Sequence, residues 1–255
     1  MFRGFYTLTS NMITQERRLN VISNNMANVA TPGFKSDELM TVTFQEMLAY
    51  RTGSVDKSSP EYLNANVHMM RVVDEKVTNF EQGGFDMTGR PLDMTIIGEG
   101  FFEIQTPQGG SVYTRNGSFT IDDEGYLSLQ HIGRVIGSDG EPILLQTDKI
   151  EVRSDGSLYF EGRAPIGRIG IANFVDYTQT EKTGEGMFLN LGGDDNVIEV
   201  ALPVVRGQML ERSNVSAMDE MVAMMASQRS LQAAGQIIKT YDQLMAAAAS
   251  DIGRV

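Results

Sequence analysis

Metal and nucleophilic chemistry have little to work with in these 255 residues, which hold two histidines and no cysteine. His68 and His131 stand 63 positions apart, with no thiolate to complete a zinc centre. The stretch "GEGFFE" sets Gly98 and Gly100 at dinucleotide-fingerprint spacing, but Glu103 occupies the place of the third glycine. It reads as a turn between strands. Asp122, Asp123 and Glu124 could pair as an acid couple or bind calcium; without EF-hand spacing they read as a solvated hairpin turn. No G-x-S-x-G elbow occurs. A glycan hydrolase would need two carboxylates facing a cleft, and no spacing among the 33 acidic residues marks such a pair. No catalytic, cofactor-binding or metal residue is assigned, and no cofactor is expected.

The polar groups that do cluster are amides. "NNMANVATPGFK", residues 24–35, holds Asn24, Asn25 and Asn28 at the end of a helical pattern. Each Asn costs a helix up to ~0.7 kcal/mol relative to Ala, and Pro cannot continue one. The elements around them explain where they sit. Phe5, Leu8, Met12, Gln15, Leu19, Ile22, Met26 and Val29 step by three and four, a narrow coiled-coil seam. Thr31, Pro32, Gly33 and Phe34 then break the helix. The three asparagines avoid the seam; the stretch by itself reads as an ordinary helix end beside a loop, or as amides offered to neighbouring chains. Far downstream, Met224, Ser227, Leu231, Ala234, Ile238, Tyr241, Met245, Ala248 and Ile252 repeat the step, opened by a capping box at Ser216 and Asp219. Gly235 sits in that seam, where a close backbone approach or simple tolerance would explain it.

The middle of the chain differs. Of 26 glycines, 21 fall between Gly83 and Gly207, among short apolar or alternating runs. Asn116–Gly117, Asp139–Gly140 and Asp155–Gly156 supply hairpin turns with positive φ. The fold class is therefore α+β: discontinuous N- and C-terminal coiled-coil helices plus a central Gly-rich antiparallel β domain. The expected divisions are 1–35 for the N-terminal assembly helix and its break, 36–86 for an extended linker, 87–206 for the β domain and 207–255 for the C-terminal assembly helix. Within 36–86, "MTVTFQEMLAY" fits helix or strand.

Net charge is −12, yet residues 1–35 carry a net of +3. This balance argues against nucleic-acid binding. No run approaches the ~20 apolar residues of a membrane span, and Gln15, Glu16, Arg17 and Arg18 interrupt any signal-peptide core.

The helix ending "NNMANVATPGFK", the segments "PLDMTIIGEGFFEIQT" and "YTRNGSFTIDDEGYL", and the C-terminal "SNVSAMDEMVAMMASQRSLQAAGQIIKTYDQL" together resemble the bacterial flagellar rod and hook family, in that family's order. The resemblance implies a structural rod subunit of proximal or distal type. Its terminal helices would pair as a coiled coil in a hollow helical tube that joins motor to hook and transmits torque. Partners implied are copies of the chain, adjacent rod and hook proteins, the flagellar export apparatus and bushing rings. The place implied is the extracytoplasmic basal body, reached without a cleaved signal peptide. Assembly residues implied are Phe5, Leu8, Met12, Leu19, Ile22, Asn24, Asn25, Met26, Asn28, Val29, Thr31, Pro32, Gly33 and Phe34 at the N-terminal end, and Ser213, Asn214, Val215, Met221, Met224, Gln228, Arg229, Leu231, Ile238, Tyr241 and Met245 at the C-terminal end. The alternative is an envelope or cell-surface glycan hydrolase with coiled-coil oligomerisation ends.

Overall fold

The computed structural model describes residues 2–43, 71–145, 147–160, 165–200 and 202–252, and these form two compact units. His68 and most of "TFQEMLAY" lie outside the described residues.

The first unit joins α1 (Phe2–Ala27), α2 (Ala217–Ile252) and a hairpin of β1 (Asp37–Thr43) with β2 (Arg71–Thr78). Alternation in "MTVT" settles as strand because β2 gives it an antiparallel partner, from Asp37 opposite Thr78 to Thr43 opposite Arg71. The supposed linker 36–86 thus carries strands at both ends. The helices pack on one another and run antiparallel, since Asn25 near the end of α1 meets Glu220 in the first turn of α2. Thr14, Ile22 and Asn25 of α1 and Ser227 and Ala234 of α2 are buried. Leu8, Met12, Leu19, Met26, Met224, Leu231, Ile238 and Tyr241 are half-buried along the same faces, whereas Phe5 and Met245 are exposed. The Asp219 N–H donates to Ser216 Oγ at 3.4 Å, so the serine caps α2 as its sequence suggests. Gly235 fits simple tolerance rather than a close approach. A Cβ built there meets nothing within 4 Å, so no close approach within the chain requires that glycine.

The second unit comprises residues 28–36 and 80–215, an antiparallel β assembly that begins and ends slightly outside 87–206. Its strands are β3 (Phe85–Met87), β4 (Met94–Ile97), β5 (Phe101–Gln105), β6 (Ser111–Thr114), β7 (Thr120–Ile121), β8 (Leu127–Leu129), β9 (Gly133–Val135), β10 (Ile150–Val152), β11 (Ser157–Phe160), β12 (Pro165–Arg168), β13 (Ile171–Phe174), β14 (Thr180–Thr183), β15 (Met187–Asn190), β16 (Val197–Glu199), β17 (Val204–Gly207) and β18 (Met209–Glu211). The main sheet runs β14-β15-β6-β5-β9-β8-β7, with β13 on β5 and β16 on β13. Two-stranded pairs β17-β4 and β18-β3 bring the last strands back to the first. Met94, Ile96, Phe102, Ile104, Phe119, Leu127, Val135 and Leu158 fill one core.

Turn chemistry follows the sequence at Gly140 and Gly156, both at φ 81. Gly117 differs. Its φ is not positive; instead, an added Cβ would lie 1.7 Å from the Met94 carbonyl oxygen, so the site is glycine because a strand backbone presses on it. The Asp122 turn is stapled internally. Its carboxylate accepts the Glu124 and Tyr126 N–H groups and pairs with Arg134 at 2.8 Å, while Glu124 pairs with the same guanidinium at 2.6 Å. His131 occupies the exposed β8–β9 turn at φ 65. Among the described residues, no three His, Asp or Glu side chains converge to hold a metal. No described helix is long and apolar enough to cross a membrane.

A second core is aromatic: Phe101, Tyr113, Phe174 and Phe188, with Phe80 and Tyr177 against it. Burial, aided by the charges of Glu103 and Asp194, pushes the Tyr113 phenol up to about 12. An unfolded tyrosine titrates near ~10. The raised value stabilises the fold below about pH 10, and that contribution disappears as pH rises through about 12. A two-unit difference corresponds to about 2–3 kcal/mol. Tyr113→Phe should therefore flatten the alkaline part of the stability curve, read as urea midpoints at pH 8 and pH 11.5. Identical slopes for both proteins would show that Tyr113 does not titrate with unfolding.

Candidate functional site

The break residues and the residues before α2 meet within the second unit. Gly33 N–H donates to the Glu211 carbonyl at 2.8 Å, and Asn214 N–H to the Phe34 carbonyl at 3.3 Å. Ser36 N–H donates to Asn214 Oδ1 at 2.7 Å, and Asn214 Nδ2 to the Glu81 carbonyl at 3.2 Å. The backbone is thus laced across a long sequence separation, and Asn214 satisfies groups that a turn alone would leave unpaired. Ser213 Oγ accepts the Val215 N–H at 3.3 Å, and Val215 is buried.

Beneath this lacing lies a buried charge cluster. Lys35 Nζ pairs with Glu211 Oε1 at 2.7 Å, and Arg115 Nη1 with Glu211 Oε2 at 3.2 Å. Their side chains are 1%, 5% and 1% exposed, so water does little to screen them. The remaining donors are largely spoken for. Lys35 Nζ also donates to the Glu81 carbonyl at 2.8 Å, and Arg115 Nη2 to the Gly98 carbonyl at 2.6 Å; Glu211 Oε1 accepts the Gly83 N–H at 3.2 Å. Arg115 Nε has no partner. Burial pulls both the Lys35 ammonium and the Arg115 guanidinium below their ordinary values, and the Glu211 charge opposes that pull. Two cations share one anion, so Glu211 is the group on which the cluster's neutralisation depends.

Phe34 is buried beside the cluster. The Lys182 ammonium sits 3.7 Å from its ring centroid and donates to the Lys35 carbonyl at 2.5 Å. Gly33 adopts φ 69, and a Cβ there would lie 2.3 Å from the Arg115 carbonyl carbon. Thr31 and Pro32 are half-buried, and Val29 likewise. The Thr31 hydroxyl donates to Asn28 Oδ1 at 3.2 Å, and its N–H to the Asn28 carbonyl at 3.1 Å, which closes the turn after α1. Chemically the arrangement is a clamp: it fixes backbone to backbone and leaves no reactive group exposed.

The first unit holds the clearest departure from the sequence reading. Asn25 is 2% exposed; its Nδ2 donates to the Asp37 carbonyl at 2.9 Å and to Glu220 Oε1 at 2.8 Å, and its Oδ1 accepts the Asp37 N–H at 3.0 Å. The amide expected to reach a neighbouring chain is consumed at the meeting of α1, β1 and α2. The cause is burial: an amide with no water must be satisfied where it lies. Asn24 is exposed on α1, and Met221, Gln228 and Arg229 are exposed on α2. Lys35, Arg115 and Glu211 were not singled out from the sequence. Lys35 directly after an apolar Phe was the one visible hint of a buried cation.

Comparison with known proteins bears on the whole chain. Residues 5–35 match the family described as flagella basal body rod protein, residues 95–160 the flagellar hook protein FlgE/F/G D1 domain, and residues 206–251 the flagellar basal body rod FlgEFG protein C-terminal family. The flagellar basal-body rod protein FlgG of Buchnera aphidicola subsp. Schizaphis graminum is 30% identical over 96% of this chain and 98% of its own. The rod protein FlgF of Caulobacter vibrioides is 30% identical over the full length of both, and the hook-basal body complex protein FlhO of Bacillus subtilis 28% over the full length of both. Both matched ends carry the clamp segments described above, and the chain belongs to the flagellar basal-body rod protein family, as a structural subunit of the rod rather than an enzyme.

Proposed function

We propose that this rod subunit polymerises with copies of itself and with adjacent rod and hook proteins into a hollow helical tube, in which α1 and α2 continue as a coiled-coil seam. The tube links motor to hook and carries torque, with the export apparatus and a bushing ring as further partners and the cell envelope outside the cytoplasm as its place. The observation that supports this most is the length mismatch of the helices. α1 has 26 residues and α2 has 36. At 1.5 Å per residue α2 is about 15 Å longer. Asn25 lies level with Glu220, so the end of α2 runs past the start of α1. Its apolar pattern continues there: Leu244 is 69% exposed and Met245 41%. Single helices of this kind gain stability from neighbours.

Leu19→Asp and Ile238→Asp test the reading. A carboxylate in a helix seam costs several kcal/mol when buried. Each change should abolish swimming and rod formation while the urea midpoint of the β unit stays unchanged. Swimming cells would refute the seam's role in assembly, and a collapsed β unit would show that the seam belongs to its core.

A further inference from the structure

We propose that Asn214 is the centre of a mechanical joint, through which the β unit receives and returns twist. Its use in torque rests on the rod reading; its existence does not. The second unit is built from two stretches, 28–36 and 80–215, so the chain enters or leaves it at four ends. Those ends are the covalent paths along which force reaches its strands. The clamp gathers them. Near residue 28, the Thr31 hydroxyl holds Asn28 Oδ1, and Gly33 N–H holds the Glu211 carbonyl. At the second end, Ser36 N–H donates to Asn214 Oδ1 at 2.7 Å. At the third, the Glu81 carbonyl accepts from Asn214 Nδ2 at 3.2 Å and from Lys35 Nζ at 2.8 Å. The fourth is Asn214 itself, next to the buried Val215. One amide therefore ties three of the four ends. Stability is indifferent to where such bonds lie; transmission of force is not.

The pairing also has the direction that resists pulling. Gly33 meets Glu211 and Phe34 meets Asn214, so both numbers rise together and the two segments run the same way. The chain leaves toward residue 28 on one segment and toward residue 215 on the other, at opposite ends of the paired stretch. Tension between those exits loads the bonds together instead of one after another. Beneath them, the Lys35–Glu211–Arg115 cluster fastens both segments to the residue that directly follows β6. Little water reaches those pairs, which keeps them strong.

The lack of cysteine allows clean attachment of handles. The full chain carrying Ser23→Cys and Met218→Cys, both exposed and close in sequence to the outer ends of the second unit, is held in an optical trap by DNA handles. At constant force, Asn214→Leu should open the β unit about tenfold faster, the effect of losing its two side-chain hydrogen bonds. Leu158→Ala, a core change outside the clamp, should lower the urea midpoint further yet open at a rate much closer to wild type. Asn214→Asp keeps the acceptor for Ser36 and loses the donor to Glu81, so it should fall between, and it serves if Asn214→Leu does not fold. Equal acceleration by the core and clamp variants, or none from either change at position 214, would overturn the joint. In cells, the load at which flagella break from turning motors should fall for Asn214→Leu and not for Leu158→Ala. An equal limit in both would overturn the use of the joint in torque. Full-length rods in cells that lack the chain would remove the rod reading and leave the force measurement standing.

Discussion

Glu211→Ala should lower the stability of the β unit by about 3–5 kcal/mol, the cost of leaving buried charge without its partner. The carboxylate holds Lys35 at 2.7 Å and Arg115 at 3.2 Å, and all three side chains are nearly inaccessible. Its removal leaves two cations facing each other at low dielectric, together with an unpaired Gly83 N–H. Lys35→Met should behave differently. It removes one of two cations and leaves Arg115 and Glu211 as a matched pair, so its cost should be about 1–2 kcal/mol, from the lost hydrogen bonds. Urea unfolding at pH 7, followed by tyrosine fluorescence, orders the variants. Equal losses for both, or a Glu211→Ala loss below about 1 kcal/mol, would show that the cluster does not depend on its single anion.

Gly33→Val should cost a similar amount by another route. A non-glycine residue at φ 69 is strained, by roughly 1–2 kcal/mol, and more for a β-branched one. The new Cβ would overlap backbone, 2.3 Å from the Arg115 carbonyl carbon and 2.5 Å from its oxygen, which cannot rotate away as a side chain could. Overpacking of that kind adds about 1–3 kcal/mol. Because Gly33 N–H also donates to the Glu211 carbonyl, displacement here should loosen the charge cluster as well. The expected readout is a fall in the thermal midpoint of the β unit with faster hydrogen exchange at the position-33 amide and at Asn214. An unchanged midpoint would place the strain elsewhere.

The residues differ in how far they announce these roles. The two terminal helices were legible because an apolar step repeats within one segment, and Ile22 and Ala234 on those steps are both buried. The hairpins at Gly140 and Gly156 were legible because a positive φ selects glycine locally. What one sequence does not carry is pairing at long range. Lys35 and Glu211 are 176 positions apart, and neither has a spacing that names the other. Asn25 looked like an outward amide because helix periodicity separates it from the apolar seam; the hairpin β1–β2 that buries it is invisible to that periodicity. Gly117 shows the same limit. Beside Asn116 it looks like a turn, but the Met94 carbonyl that excludes a side chain comes from another strand.

Electron microscopy of basal bodies from cells lacking this chain tests its role as a rod subunit most directly. The expected image is a rod that is missing or cut short, restored to full length by the wild-type chain and not by the Leu19→Asp or Ile238→Asp variants. Rods of full length and normal diameter in the cells that lack the chain would contradict a structural role in the rod.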